Sequence, residues 1–223
     1  MIPKKIHYCW FGFKPFPKLV KECIGTWEIH LPDYEFILWD ESNSPMDKPY
    51  VKEAYSNKRY AFVSDYVRFW ALYNEGGIYF DIDIFSIRSI NDLLNNKCFF
   101  GWETIDKKAI SCGVIGSESK NKFIKEILDE YNNLHFNSGN IEKLVVPRLI
   151  TSIYERSVNK EELSIYPYDY FYPFPFESRK QISEFTSYVT ENTYAVHLWN
   201  LSWVSQFDKF VSYIIHIIKT TKS

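Results

Sequence analysis

Two hydrophobic periods alternate along the first half of the chain. Ile6 to Phe11 is a short apolar and aromatic run after Pro3, and it predicts a first strand. Gly12, Pro15 and Pro17 then make a loop. Leu19, Cys23, Ile24 and Trp27 recur at helical spacing, which predicts a helix from Leu19 to His30. Tyr34 to Trp39 reads as a second strand, and the acidic, Pro-containing stretch from Asp40 to Pro49 reads as a loop. Phe62, Val63, Val67, Trp70, Ala71 and Tyr73 spread over one broad apolar face, so Ala61 to Glu75 predicts the clearest helix. Gly76-Gly77 stops it, because glycine accepts the left-handed turn that ends a helix. Ile78 to Phe85 alternates as a strand. Further on, strands are predicted at Cys98 to Trp102, Ala109 to Ile115 and Tyr194 to Leu198, with helices at Lys120 to Leu134 and Phe207 to Lys219. Ile165 to Phe176, dense in Tyr, Phe and Pro, reads as an ordered loop. Helix followed by strand predicts an α/β domain. The 223 residues suit one domain, with residues 1–223 as its span.

Composition narrows the function. Hydrophobic residues make up 46% of the chain, enough for a full core, so disorder is not expected. A net charge of -2 argues against a nucleic-acid groove and leaves room for a local acidic site that needs a cation. Most of an aromatic share of 19% is expected in the core, and any excess beyond core needs would suit flat ligands such as bases and sugar rings. Cys9, Cys23, Cys98 and Cys112 form no CxxC pair and sit near no His at zinc-finger spacing, which fits reduced thiols in a cytosolic protein. Met1 to Lys5 lacks the long apolar stretch of a signal peptide, and no run approaches the roughly 20 apolar residues of a spanning helix. The expectation is a soluble or peripheral protein.

The central chemical feature is Tyr79-Phe80-Asp81-Ile82-Asp83-Ile84. Alternate residues of a strand share a face. Ile78, Phe80, Ile82 and Ile84 are therefore expected to meet the core, with Tyr79, Asp81 and Asp83 together on the other side. Two carboxylates on one face repel unless water solvates both or a cation sits between them. Mn²⁺ and Mg²⁺ prefer oxygen ligands and bridge carboxylates to a diphosphate. Paired acids also occur at solvated strand ends. The apolar opposite face and the Gly-Gly start favour a built site. On the preceding helix, Asp65 and Arg68 are three residues apart and share a face. As a surface pair they would contribute about 0.2–0.5 kcal/mol; in a site they would hold sugar hydroxyls by directed hydrogen bonds.

At these residues the sequence resembles a known group. Tyr60-Ala61-Phe62-Val63-Ser64-Asp65-Tyr66-Val67-Arg68 and Tyr73-Asn74-Glu75-Gly76-Gly77-Ile78-Tyr79-Phe80-Asp81-Ile82-Asp83 look like the sugar-binding region with the DXD motif of glycosyltransferase family 32. The glucosylating clostridial toxins share the pattern more distantly. The opening Ile2 to Gly12 and Leu31-Pro32-Asp33-Tyr34-Glu35 are also similar, so the likeness is dense over residues 1–116 and thin beyond. The resemblance implies a GT-A fold, a Rossmann-like α/β/α sandwich around a mixed sheet. It implies a UDP- or GDP-sugar donor, a divalent cation, Mn²⁺ or Mg²⁺, and retention of anomeric configuration. Residues 1–116 would bind donor and metal, and residues 117–223 would form the acceptor side. Cys9 and Trp10 would line the base, with Trp10 stacking. Ser64 would sit near the nucleoside, and Asp65 and Arg68 would contact the donor sugar. Tyr79 would flank the diphosphate, Asp81 would bridge ribose, sugar and metal, and Asp83 would ligate the metal. Asp81, Asp83 and Arg68 are the expected catalytic set.

The late motif His197-Leu198-Trp199-Asn200-Leu201-Ser202-Trp203 resembles the segment that completes the metal shell, with His197 as ligand and Trp203 touching the diphosphate. Ser111 to Gly116 occupies the place of a Gly-rich segment near the acceptor, but Cys112 stands where an Asn or Thr is usual. The sequence shows no covalent nucleophile, which fits a front-face substitution. A metal-dependent sugar-nucleotide phosphohydrolase would use the same acids, and a carbohydrate-binding module would use aromatic platforms alone. A capsule-type enzyme would meet a glycan or lipid-linked acceptor at the cytoplasmic face of the membrane. The apolar face and terminal lysines of residues 207–219 would supply peripheral contact, although packing against the core is the plainer reading.

Overall fold

A computed structural model of the chain describes residues 1–136 and 144–200. Strand β1 (Lys5–Cys9) is followed by helix α1 (Lys18–His30) and strand β2 (Glu35–Trp39). Helices α2 (Pro49–Ser56) and α3 (Tyr60–Glu75) lead into β3 (Gly77–Phe80) and the short β4 (Ile84–Ser86). Strands β5 (Cys98–Trp102) and β6 (Ile110–Ser117) precede helices α4 (Lys122–Asn132) and α5 (Val146–Arg156). Strands β7 (Leu163–Tyr166) and β8 (Ala195–His197) complete the described elements.

The main sheet has the order β2-β1-β3-β6-β5-β7. β1 runs parallel to β2 and β3, β6 runs antiparallel to β3 and β5, and β7 runs parallel to β5. The parallel pairs need crossovers, which α1 and the α2–α3 pair supply. Both faces of the sheet are covered. Val63, Val67, Phe69, Phe123, Ile127 and Ile150 pack on one side, and Ile6, Trp27, Ile78, Phe80, Phe171 and Phe174 on the other. A second sheet, β4 with β8, lies on the side of α1, where Trp27 Nε1 donates to Ile84 O at 2.6 Å.

Three expectations need correction. The segment 78–85 is two strands, not one: β3 ends at Phe80, Ile84 N donates to Asp81 O at 3.0 Å to close a turn, and β4 begins at Ile84. β3 is also buried on both faces, with Tyr79 in one core and Ile78 and Phe80 in the other. Alternation there sorts residues between two apolar layers and not between core and water. Finally, α2 and α5 arise where no helix was expected. Each begins with Pro in its first two positions, where the missing N–H costs nothing.

The Gly76-Gly77 junction ties α3 to β3 and β1. His7 is buried, and its Nε2 donates to Gly76 O at 2.7 Å while Nδ1 accepts from Trp39 Nε1 at 3.1 Å. Burial holds the His7 pKa below its ordinary value, which keeps the ring neutral for both bonds. Gly77 has φ +114°, and a Cβ there would lie 2.9 Å from both His7 Nε2 and Lys5 O. Gly77→Ala is expected to destabilise the protein by about 1–3 kcal/mol in urea unfolding, the scale of a strained backbone position. Gly25 in α1 has nothing within 4 Å of its Cβ position. Gly25→Ala should therefore be neutral or stabilising by up to about 1 kcal/mol. Equal effects at the two glycines would contradict this account.

Candidate active site

The site grows from one buried ion. Arg68, on α3, faces the interior with a side chain only 7% exposed. Its Nη2 donates to Asp65 Oδ1 at 2.7 Å, and Nη1 donates to Cys112 O at 2.7 Å. Asp81 Oδ1 lies 3.4 Å from Nη1, and the Tyr79 ring lies 4.6 Å from the guanidinium carbon. Of the two readings of this pair, the exposed one is excluded: Asp65 and Arg68 form a buried network. Burial pushes the Asp65 carboxyl up to about 7, with Arg68 pulling the other way. A guanidinium suits this place because its planar fork satisfies several acceptors at once.

The sheet is irregular beside it. The β5–β6 register shifts between Phe99 and Gly101, opposite the middle of β6. Such irregularities re-aim groups next to active sites. Here Cys112 O accepts from Arg68 and Val114 N donates to the Tyr172 hydroxyl at 2.8 Å, while Gly113 O extends the β3–β6 ladder by accepting from Asp81 N at 2.8 Å. Tyr172 belongs to the Tyr-Pro-rich stretch, whose Phe171, Tyr172 and Phe174 are all buried. These rings pack the core and do not offer an acceptor platform. Cys112 turns its side chain into the core as well.

The turn after β3 gathers three metal-type ligands. Asp81, Asp83 and His197 each offer one atom, and these atoms lie within 4.8 Å of one another. His197 Nε2 is 3.1 Å from Asp83 Oδ1 and 4.0 Å from Asp81 Oδ2. Burial pulls the His197 pKa down, but the Asp83 and Asp81 carboxylates outweigh it and the pKa rises. Two carboxylate oxygens and an imidazole nitrogen, close together and mostly buried, form a donor set that fits Mn²⁺ or Mg²⁺. β8 places His197 by pairing Ile84 with it. Residues 198–200 then wrap Asp83: Leu198 N donates to Asp83 O at 3.1 Å, and Asn200 N to Asp83 Oδ2 at 2.6 Å. Trp199 takes φ 55° between them and is held by Nε1 donating to Phe174 O at 2.7 Å.

Next to this group is a cleft partly open to solvent. Six residues singled out by sequence line it: Cys9, Trp10, Ser64, Arg68, Tyr79 and Asp81. Phe11, Tyr60 and Ile82 line it too. Ile82, expected in the core, is buried and also lines the cleft. Asp65 is not on the wall. It sits behind Arg68 as its acceptor. Burial pushes the Cys9 thiol up to about 12, so it is inert at neutral pH. Trp10 is half-buried, its Nε1 donates to Lys14 O, and Phe16 meets its ring edge-on. Ser202 and Trp203 lie outside the described residues.

Residues 17–100 match the glycosyltransferase sugar-binding region containing DXD motif, and residues 116–215 match the alpha 1,4-glycosyltransferase conserved region. Each match covers less than half of the chain, and both are to glycosyltransferase regions. Inositol phosphoceramide mannosyltransferase 3 of Schizosaccharomyces pombe is 32% identical over 144 residues, covering 61% of this chain and 39% of that protein. An uncharacterized protein of Arabidopsis thaliana is 30% identical over 132 residues, covering 56% of this chain and 19% of that protein. The chain thus spans well under half the length of both relatives. Among solved structures, the PaToxG glycosyltransferase superposes with a TM-score of 0.56 at 20% identity, over 71% of this chain and 70% of that one. The fold is GT-A.

In this site, sequence reasoning missed the Asn200 amide, the Cys112 and Gly113 carbonyls and the Tyr172 hydroxyl. Backbone groups carry no residue signature, and these contacts join positions far apart in the chain. Arg68→Met is expected to cost about 3–5 kcal/mol in urea unfolding, because it strands buried carboxylates without their cation. A loss below about 1 kcal/mol, typical of an exposed pair, would show that the network is not buried in solution.

Proposed function

We propose that the protein transfers a hexose from a UDP- or GDP-sugar to a glycan or lipid-linked acceptor, with retention, using Mn²⁺ or Mg²⁺ held by Asp81, Asp83 and His197. One observation carries this reading: Asp81 belongs both to the cleft wall and to the acid–histidine group. A nucleoside diphosphate lying along the cleft would reach a cation at its end. When bound, the cation neutralises charge on the departing diphosphate. The chain's own part is positioning and fixed charge. Trp10, Cys9 and Ser64 form the wall available to the nucleoside, and Arg68 sets a permanent positive charge beside Asp81. The inert Cys9 thiol leaves a front-face substitution favoured over a covalent cysteine.

The similarity to a mannosyltransferase named for inositol phosphoceramide supports a lipid-linked acceptor. Such an acceptor would bring the enzyme to the cytoplasmic face of a membrane, with residues 207–219, outside the described residues, as the peripheral contact. Co-sedimentation of the full chain with anionic vesicles at low salt tests that placement, and no binding would remove it.

The donor is read by thermal shift against UDP- and GDP-sugars with Mn²⁺, since a ligand that binds only the folded state raises the melting temperature. Asp81→Asn and Asp83→Asn should each lower turnover at least about 100-fold, beyond the 10–100-fold typical of an outer-shell partner. Both should keep the wild-type circular dichroism spectrum. Full turnover in excess EDTA would refute the cation. Release of sugar 1-phosphate and nucleoside monophosphate with no glycoside formed, across an acceptor panel, would favour a phosphohydrolase instead.

A further inference from the structure

Each carboxylate of the acidic pair has one oxygen tied to the protein and one turned toward the other ligand groups. Asp83 Oδ2 accepts from Asn200 N, and Oδ1 faces His197 Nε2. Asp81 Oδ1 accepts from the Tyr79 hydroxyl at 3.0 Å and lies 3.4 Å from Arg68 Nη1. Its Oδ2 lies toward His197 Nε2 at 4.0 Å. We infer that Tyr79 and Gly113 are positioning residues that make Asp81 a one-oxygen ligand, Tyr79 by holding Oδ1 and Gly113 by leaving room for Oδ2. The inference rests on the cation reading given above.

Tyr79 is 1% exposed, and its hydroxyl donates to the Asp81 carboxylate. A carboxylate whose two oxygens are equivalent can swing or bind a cation through both. Donation to one oxygen removes that freedom and fixes the direction of the other, which is what an outer-shell partner does at a metal site. Arg68 cannot supply this alone. Its Nη1 points its short bond at Cys112 O and stands 3.4 Å from the carboxylate.

Gly113 completes the arrangement from the opposite side. Its φ lies outside the left-handed region, so the backbone does not demand glycine there. The demand is spatial. A Cβ at 113 would lie 3.1 Å from Asp81 Oδ2 and 3.6 Å from His197 Nδ1. It would press on the very oxygen that Tyr79 leaves free. The side chains that set the ligand geometry are thus a hydroxyl on β3 and the lack of a side chain on β6.

The test measures Mn²⁺ affinity directly, by the loss of the free-ion signal in electron paramagnetic resonance, on the intact chain without donor. Wild type, Tyr79→Phe, Gly113→Ala and Asp83→Asn are compared, with melting temperatures in EDTA as a check on folding. Tyr79→Phe keeps the ring beneath Arg68 and removes only the hydroxyl. It should weaken Mn²⁺ binding about 10–100-fold, the range for outer-shell partners. Gly113→Ala should weaken it as well, and Asp83→Asn should abolish it. If the wild type binds no Mn²⁺, the cation reading falls and this inference with it. If Asp83→Asn abolishes binding while Tyr79→Phe and Gly113→Ala both bind within twofold of wild type, the inference alone is overturned. A lower melting temperature at unchanged affinity would equally overturn it, because the residues would then act on the fold and not on the ligand.

Discussion

A guanidinium buried between two carboxylates governs how this domain is put together. Removing an ion from water costs several kcal/mol even after relaxation, so a buried arginine persists only where the fold surrounds it with acceptors. Arg68 takes them from three places: Asp65 on its own helix, Asp81 in the turn after β3, and the Cys112 carbonyl on β6. Those contacts lock α3 onto the sheet in one register and decide where Asp81 points. The rest of the site inherits that decision. Asp65 is best understood as part of the same device. It lies behind Arg68 and gives the cation a second acidic partner away from the cleft.

The irregularity in β6 follows from the same need. A regular strand commits its carbonyls to neighbouring strands, which would leave Arg68 short of an acceptor in a dry interior. Shifting the β5–β6 register lets Cys112 O turn to Arg68, and Tyr172 satisfies the Val114 amide. The Tyr-Pro-rich stretch therefore has a definite task. It plugs a gap in the ladder on one side of the sheet while Arg68 fills the other.

Much of this was legible in the sequence, for reasons that particular residues make plain. The helical spacing on α3 and the Gly-Gly stop are local signals, and a helix followed by a strand has few ways to pack. The residues of the cleft could be named because the resemblance supplied a spatial arrangement that spacing cannot. What spacing did suggest about Asp81 and Asp83, a shared strand face, has a different cause. A turn closed by Ile84 N and Asp81 O brings the carboxylates together, and the wrap by Leu198 and Asn200 holds Asp83 there. No local period encodes a contact between residues more than 110 positions apart. The same limit hid the burial of Asp65 and Arg68, since an i,i+3 pair has one signature whether it faces water or a sheet.

The division of the chain between the two halves of the site has a consequence of its own. The cleft wall is drawn from residues 9–82, whereas the acid–histidine group is closed by residues 197–200. Asp81 is the one described residue common to both. On the proposed function, anything that improves the hold of Asp81 on a cation also fixes one wall of the donor cleft, and anything that settles in the cleft steadies Asp81 for the cation. Thermodynamic linkage requires these two effects to be equal. Cation and nucleotide sugar should then bind with a shared coupling energy and not as independent ligands. The free protein softens that dependence, because His197 Nε2 already contacts Asp83, and Arg68 and Tyr79 already hold Asp81. The carboxylates are thus kept apart from bulk water and close to final position before either ligand arrives, so that little reorganisation is left for the binding step.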